Sequence, residues 1–213
     1  MTSRIPTTYK DKYGSVETEI INDYQTLTLI IEGTKFVSKH FDDFSPIDIE
    51  NVPSRFRLNH FNELTNCSLL CKIPMTASRQ GIDIPATLVV DIHLDASEKE
   101  YNTYSYFSLI LEDKEIEIGK TQHFEGAFEI LKNKIPKDTY LKCCFNCLYA
   151  DYSFAGSAIF GTMFCFKNIK EKYLAVRTKD EYMDILDLHD RPVQEIYLSE
   201  SFKPRIKGTG YRG

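Results

Sequence analysis

Hydrophobic and polar residues alternate along most of the first 120 residues of the chain. Because neighbouring side chains of a strand point to opposite faces, this period of two indicates strands with one packed side and one side facing solvent. Glu32-Gly33 supplies turn chemistry between two of the first runs. The pattern predicts a β-meander whose first runs carry the apolar residues Val16, Ile20, Leu27, Leu29 and Ile31.

The later runs are longer and follow the same rule. Tyr104 to Leu111 and Glu115 to Ile118 read as a hairpin that turns at Asp113-Lys114. Alternation of this kind is typical of antiparallel sheets and sandwiches. The remaining predicted strands are Phe56 to Phe61, Cys67 to Ile73 and Ala86 to Leu94.

The period changes after residue 121 and indicates a helix. Phe124, Phe128 and Leu131 stand at i, i+4 and i+7, a spacing that only a helix gathers on one side. Pro136 lies beyond this stripe and stops a helix. The pattern predicts a helix at about residues 122 to 134.

A second helix is predicted at about residues 178 to 188. Thr178 and Glu181 form a capping box, in which each side chain can accept a hydrogen bond from an otherwise unpaired amide. Another strand is expected from Val193 to Leu198. The fold class is therefore mainly β (α+β), an antiparallel sheet or sandwich with two short helices in the C-terminal half.

Composition places the chain among globular proteins. It has 213 residues, of which 42% are hydrophobic and 27% charged. We expect a β-rich region at residues 1–120 and a mixed α+β region at 121–213, packed as one unit with the first.

Charge and hydropathy indicate which classes of partner and which cellular compartment to expect. The 26 basic and 31 acidic residues give a net charge of -5, which does not favour nucleic acid or an anionic membrane. The start lacks the apolar stretch of a secretory signal, and no apolar run is long enough to span a membrane. We expect a cytoplasmic protein whose cysteines are reduced.

The stretch LKCCFNCLYADYS, residues 141 to 153, concentrates three of the six cysteines. Cys144 and Cys147 have the spacing of a zinc knuckle, and Cys165 could supply a third thiolate. The fourth ligand would be Cys143, His189 or a water. Alternatively, these cysteines are small hydrophobic residues of a packed strand, or a redox pair. The sequence leaves these alternatives open, with either zinc or no cofactor.

The second half of the chain resembles the C-terminal signature of an uncharacterised bacterial family, a domain of unknown function. The likeness covers about the last 75 residues, whereas the β-rich part is similar only in general character. It rests on Cys144-Phe145-Asn146-Cys147, Asp151-Tyr152-Ser153, Phe160-Gly161, Cys165-Phe166, Val193-Gln194-Glu195, Tyr197-Leu198 and the terminal Gly208-Thr209-Gly210-Tyr211-Arg212-Gly213.

The resemblance implies a bacterial source and members encoded alone or near toxin and secretion genes. It also implies a cysteine after the Tyr-Leu pair, where this chain has Ser199. A hydroxyl is a weaker zinc ligand than a thiolate, so this departure weakens the expectation of zinc. A motif at the terminus implies a docked tail, with Tyr211 packed and Arg212 paired to Asp151 or Glu195.

Recognisable catalytic motifs are missing from the sequence. The five histidines lack metal-binding spacing, and no phosphate-binding glycine loop or nucleophile elbow is present. Asp151 and Tyr152 could act in acid–base chemistry or simply shape a turn. Another candidate surface is an aromatic cluster at Tyr101, Tyr104 and Tyr106, near Glu98 and Glu100, for which ordinary sheet packing is the alternative.

The sequence is compatible with two classes of function. The first is a non-enzymatic binding protein, more specifically an immunity-type inhibitor that holds a bacterial toxin domain. The second is an enzyme or regulator centred on Cys144, Cys147 and Cys165 with Asp151. The sequence favours the first, with the binding residues Tyr101, Tyr104, Tyr106, Asp151, Tyr152, Tyr211 and Arg212.

Overall fold

The computed structural model describes residues 2–97, 100–153 and 160–211. The chain divides into two compact units. The first unit consists of Met1–Pro74 and Ala86–Gln122, and the second of Met75–Pro85 and His123–Gly213. In the described part of the chain, no helix has the length and apolar character needed to cross a membrane.

The first unit is built from strands. Its elements in chain order are β1 (Ser3–Asp11), β2 (Gly14–Asn22), β3 (Leu27–Ile31), β4 (Thr34–Ser38), β5 (Ser45–Pro46), β6 (Arg57–Leu58), β7 (Leu64–Thr65), β8 (Cys67–Arg79), β9 (Ile82–Ser97), β10 (Glu100–Leu111) and β11 (Lys114–Thr121). Strands β8 and β9 continue into the second unit, which holds residues 75–85.

Most of these strands form one sheet. Their order is β11-β10-β9-β8-β1-β2-β3-β4-β5, so most neighbours in the sheet are also neighbours in sequence. The pairs β1–β2, β2–β3, β3–β4, β9–β10 and β10–β11 are antiparallel. The prediction of a mainly antiparallel β protein is confirmed.

Alternation along the strands sets which face is packed. On β9, the face that carries Ala86, Leu88, Val90, Ile92 and Leu94 is buried, as the sequence predicts. The residues between them are partly exposed on the opposite face. An apolar face of this length contributes most of the stability of such a sheet, because burial of apolar area is the main favourable term in folding.

Two tight turns fix the register of neighbouring hairpins. Glu32 and Gly33 both have positive φ, and Ile31 pairs with Thr34 across them. Glu112 and Asp113 also have positive φ and join β10 to β11. Turns with two positive φ values match the right-handed twist of the flanking strands, so each hairpin closes without a longer loop.

The second unit mixes helices and short strands. Its elements are α1 (Phe124–Lys134), β12 (Thr139–Leu141), a 3₁₀ turn (Cys144–Asn146), β13 (Ala150–Asp151), β14 (Met163–Cys165), α2 (Lys170–Ala175), α3 (Lys179–Ile185), a second 3₁₀ turn (Leu186–Leu188) and β15 (Arg191–Val193). β13, β14 and β15 form an antiparallel sheet, and β12 pairs with the end of β8.

Two helices of the second unit were predicted and one was not. α1 buries Phe124, Phe128 and Leu131, and α3 begins at the predicted capping box. The unpredicted α2 has six residues, too few to show a helical period. The strand expected at Phe56–Phe61 is reduced to Arg57–Leu58, and the one expected at Val193–Leu198 ends at Val193.

Candidate functional site

Tyrosines, acids and a histidine share the outer face of β9, β10 and β11 in the first unit. Tyr104 lies opposite His93 of β9, and Tyr106 lies opposite Asp91 of β9 and Lys120 of β11. We call the surface formed by Asp91, His93, Tyr104, Tyr106, Glu115, Glu117 and Lys120 the acidic tyrosine face.

The rings on this face pack against one another. His93 stacks on Tyr104 with centroids 4.7 Å apart and planes 10° from parallel. Tyr106 meets Tyr104 edge-to-face at 5.7 Å and His93 at 6.0 Å. The ammonium of Lys120 lies 4.0 Å from the centre of the Tyr104 ring, within the range of a cation–π contact. Even so, Tyr106 remains 47% exposed.

Hydrogen bonds hold two carboxylates of this face in place. Asp91 Oδ2 is 3.2 Å from His93 Nε2, and the Ser108 hydroxyl donates to Glu115 Oε1 at 2.6 Å. Partial burial raises the pKa of the Tyr104 phenol, and the nearby Asp95, Tyr106 and Asp91 raise it further. The face is therefore an ordered acidic surface.

A hollow of about 460 Å³ opens on this face. Leu70, Val89 and the Tyr106 ring provide apolar lining. Three carboxylates, Asp91, Glu115 and Glu117, also line it, and no lysine, arginine or histidine is among the described residues of its lining. The hollow therefore combines apolar surface with concentrated negative charge.

The sequence found only part of this surface. Tyr104 and Tyr106 lie together as predicted, whereas Glu98 and the side chains of Glu100 and Tyr101 lie outside the described residues. The acids Asp91, Glu115 and Glu117 were missed because they reach the tyrosines across strands. Their signal was their place on the polar side of predicted strands: Asp91 in the strand Ala86 to Leu94, and Glu115 and Glu117 in the predicted hairpin. This signal becomes informative only when the strand register is known.

The predicted cysteine site lies in the second unit, and its thiols are buried. Burial raises the pKa of Cys143 to about 12. Burial also raises the pKa of Cys144 well above its usual value, and the nearby thiols of Cys147, Cys143 and Cys165 raise it further. The surroundings of Cys143, Cys144 and Cys165 thus favour the protonated form of their thiols.

Metal binding at Cys144, Cys147 and Cys165 stays a prediction. Within residues 2–97, 100–153 and 160–211, no three His, Cys, Asp or Glu side chains form a group that could hold a metal ion. Cys143 Sγ lies 3.9 Å from the Leu141 carbonyl oxygen and 4.0 Å from Asn146 Nδ2.

The segment that carries Ser199 runs beside the cysteine turn. The backbone N–H of Cys144 donates to the Tyr197 carbonyl at 2.7 Å. The Ser199 hydroxyl oxygen accepts a hydrogen bond from the backbone N–H of Ser201 at 3.2 Å. Ser199 thus stabilises a local turn, two residues after the Tyr197 carbonyl that accepts from Cys144.

Asp151 and Tyr152 lie in a buried polar network. The Tyr173 hydroxyl donates to Asp151 Oδ2 at 2.8 Å, and the Tyr152 N–H donates to Asp151 Oδ1 at 2.9 Å. The Tyr152 hydroxyl donates to Glu195 Oε1 at 2.8 Å, and the Gly161 N–H donates to Glu195 Oε2 at 2.8 Å. Tyr152 therefore connects two buried carboxyl groups.

This network changes the pKa values of its members. Burial raises the pKa of Glu195 to about 7, although hydrogen bonds from Gly161 and Tyr152 favour its charged form. Burial also raises the pKa of the Tyr173 phenol, and Asp151 adds to the effect. Sequence reasoning named Asp151 and Tyr152 as binding residues, and the structure buries both.

The C-terminal tail packs within the second unit. Tyr211 stacks on Tyr182 with centroids 4.8 Å apart and lies against the cluster of Phe166, Tyr173 and Ile185. Gly210 approaches the Tyr173 ring closely. The expected packing of Tyr211 is present, while Arg212 lies outside the described residues.

Comparison with known proteins places the chain in a family. The model of DUF6304, described as a family of unknown function, matches residues 3–150, which is more than half of the chain. Most of the C-terminal motifs described above lie past the matched range. No curated protein and no solved structure matches the chain. The chain belongs to DUF6304, a family of unknown function.

Proposed function

We propose that this chain is a non-enzymatic bacterial binding protein that docks a basic protein partner on its acidic tyrosine face. Its specific form is an immunity-type inhibitor that holds a toxin domain in the cytoplasm. The resemblance to a family whose members are encoded near toxin genes supports this form, and acidic surfaces complement the basic sites of nucleic-acid-degrading toxins.

The observation that carries the proposal is the placement of Tyr106. This large aromatic residue is 47% exposed and lies beside the carboxylates of Asp91, Glu115 and Glu117. Tyrosine is enriched at the centres of protein interfaces because it buries a large area at a small cost in side-chain entropy. Carboxylates around it would speed the encounter with a basic partner and select against acidic ones.

The alternative is an enzyme or regulator centred on Cys144, Cys147, Cys165 and Asp151, with zinc as its cofactor. It is less well supported because burial raises the pKa of Cys144 and of Cys165, and protonated thiols are poor nucleophiles and poor ligands. Asp151 is 1% exposed and holds the Tyr173 hydroxyl, a structural role that explains its burial.

The proposal can be tested by reversing the charge of the face. In the variant Asp91→Lys/Glu117→Lys, two acids of the hollow become bases. The matched control is Glu17→Lys/Glu19→Lys, which reverses two acids on β2. Immobilised wild type, variant and control would be exposed to extract of the native host, and any retained protein would be purified for direct binding measurements.

The expected result is an equimolar complex that forms with the wild type and the control but not with the face variant. Its affinity should fall as salt is raised, because exposed charges are screened over about 10 Å at 0.1 M salt. If the partner is a toxin, co-expression of the wild type should restore growth and the face variant should not. Equal binding by all three proteins would refute the proposed face.

A further inference from the structure

We infer that the hollow beside Tyr106 receives an arginine side chain of the partner. The inference rests on the proposed function and names the group that the face recognises. The hollow is defined by Leu70, Val89, Asp91, Tyr106, Glu115 and Glu117, all in the first unit.

The lining suits the two parts of an arginine side chain. Leu70 and Val89 offer apolar surface to its methylene groups, and the carboxylates offer acceptors to its guanidinium. A carboxylate has about four acceptor positions, so the bonds from His93 to Asp91 and from Ser108 to Glu115 leave capacity for an incoming donor. The volume of about 460 Å³ accommodates the side chain and its adjoining backbone.

The aromatic part of the face already binds a cation from within the chain. Lys120 lies over the ring of Tyr104, at 4.0 Å from its centre. Tyr106 is the next outward residue of β10, and its exposed ring borders the acidic hollow. A partner cation would therefore find at Tyr106 the same kind of contact, with carboxylates added.

Arg55 shows the proposed arrangement filled by an arginine of this chain. Its guanidinium pairs with Asp11 at 2.9 Å and with Glu32 at 2.6 Å. The same group lies 5.6 Å from the Tyr9 ring centre and 5.9 Å from that of Phe56. Two carboxylates and neighbouring rings thus hold one guanidinium elsewhere in the first unit, as we infer for the hollow.

Arginine fits this hollow better than lysine. A guanidinium is planar, stacks on aromatic rings and donates in a fork that can reach two carboxylates together. An ammonium is a compact, strongly hydrated charge that loses more hydration on entering a partly apolar hollow. The geometry therefore predicts selection between two residues of equal charge.

The test uses short peptides in place of the partner. The capped tripeptide Gly-Arg-Gly would be titrated into the ¹⁵N-labelled full chain while amide chemical shifts are recorded, and the lysine analogue Gly-Lys-Gly would be titrated in parallel. Tyr106→Ala and Glu115→Gln are the site variants. Their matched controls are the exposed Tyr13→Ala and Glu17→Gln, since Glu17 accepts a hydroxyl hydrogen bond from Thr8 as Glu115 does from Ser108.

The arginine peptide is expected to shift the amides of Tyr106, Ser108 and Glu117, and to bind at least about threefold tighter than the lysine peptide. Tyr106→Ala and Glu115→Gln should each weaken binding by about threefold to tenfold, with the controls unchanged. Equal binding of both peptides, diffuse shifts, or equal losses in the controls would each overturn the inference.

The arginine site and the proposed function can be refuted independently of each other. Specific arginine binding without any protein partner would leave the arginine site standing and remove the binding-protein proposal. A partner that depends on Asp91 and Glu117 but tolerates replacement of all its interface arginines by lysine would keep the proposed function and remove the arginine site.

Discussion

Gly210 passes so close to Tyr173 that a β-carbon at residue 210 would lie 2.7 Å from both the Cζ atom and the hydroxyl oxygen of that ring. Tyr173 is fully buried, and its hydroxyl donates to Asp151. The ring therefore cannot move aside without weakening that hydrogen bond. A specific contact of the C-terminal tail thus depends on the absence of a side chain at residue 210.

Gly210→Ala should destabilise the second unit. The added methyl group would overlap the Tyr173 ring, and the residue would keep its φ of +70°, which is unfavourable for alanine. Together these effects should cost about 2 to 4 kcal/mol. Chemical denaturation of the wild type and the variant measures this difference in the free energy of unfolding.

Gly208→Ala is the matched control for this prediction. Gly208 has a similar φ of +81°, but a β-carbon there would meet nothing within 4 Å. It should therefore cost only the backbone term of about 1 to 2 kcal/mol. If both variants lose the same stability, the contact between residue 210 and Tyr173 has no energetic weight.

Arg55→Lys should destabilise the first unit more than the matched replacement Arg4→Lys. Arg55 donates to both oxygens of Asp11, whose side chain is 4% exposed, and also pairs with Glu32. Lysine cannot make this fork, so Arg55→Lys should lower the free energy of unfolding measured by chemical denaturation. Arg4→Lys, which alters the exposed pair of Arg4 with Glu19, should change stability by less than about 0.5 kcal/mol.

The same variant should increase sensitivity to acid. Burial alone would raise the pKa of Asp11, but hydrogen bonds from Arg55, Tyr13 and Tyr9 bring it below its usual value. A lowered pKa gives stability that is present above the ordinary aspartate range and is lost as pH falls through the folded-state value. Arg55→Lys should shift the acid unfolding midpoint to higher pH, and an unchanged midpoint would contradict this role of Arg55.

The antiparallel strands could be predicted because their information is local. The apolar positions of β9 from Ala86 to Leu94 follow the period of two that a half-buried strand imposes. The short helix α2 could not be predicted, since six residues are too few to show a helical period, and Tyr173 and Leu174 pack it against a cluster formed by residues distant in sequence. The place of residues 75–85 in the second unit could not be predicted either, because it depends on the pairing of Arg79, Ser78 and Ala77 with the distant strand β12.

The candidate sites depend on contacts that sequence does not reveal. Tyr104 and Tyr106 were visible as neighbours on one strand, whereas Asp91 reaches them from β9 by strand register. Glu195 was noted as part of a motif, but its bond with Tyr152 joins residues 43 positions apart. These side chains form candidate sites because strand register and hydrogen bonds bring together residues that are far apart in sequence, and residue type alone does not reveal this.

Under the alternative function, in which zinc is the cofactor, Ser199→Cys should raise the zinc content of the purified protein. A thiolate binds zinc better than a hydroxyl, and residue 199 lies in the segment whose Tyr197 carbonyl accepts from the Cys144 N–H. Elemental analysis after dialysis against zinc measures the gain. Ser201→Cys adds a thiol two residues further on and is the control; an equal gain in both variants, or none in either, would show that residue 199 is not the missing ligand.

Glu195 should make the second unit less stable as pH rises. Burial raises its folded-state pKa to about 7 from an ordinary value of 4.5, so in this range the folded state holds a proton that the unfolded state releases. The stabilising contribution is fully present below the unfolded pKa and is lost as pH rises through the folded pKa. Between these two pH limits, the free energy of unfolding should fall by an amount on the order of 3 kcal/mol because of Glu195.

Glu195→Gln removes this titration while keeping the size of the side chain. The unfolding free energy of the variant should therefore fall less between about pH 5 and pH 8 than that of the wild type. Glu200→Gln, which changes an exposed glutamate of the same segment, should leave the wild-type slope intact.

A local measurement can assign the effect to this carboxyl group. The Gly161 N–H donates to Glu195 Oε2, so its amide chemical shift should titrate with a midpoint near the pKa of about 7 in the wild type. The titration should vanish in Glu195→Gln and persist in Glu200→Gln. The Glu195→Gln variant has no carboxyl group at the position that accepts from the Gly161 N–H. A Gly161 amide that titrates equally in all three proteins would therefore mean that another group controls the pH response.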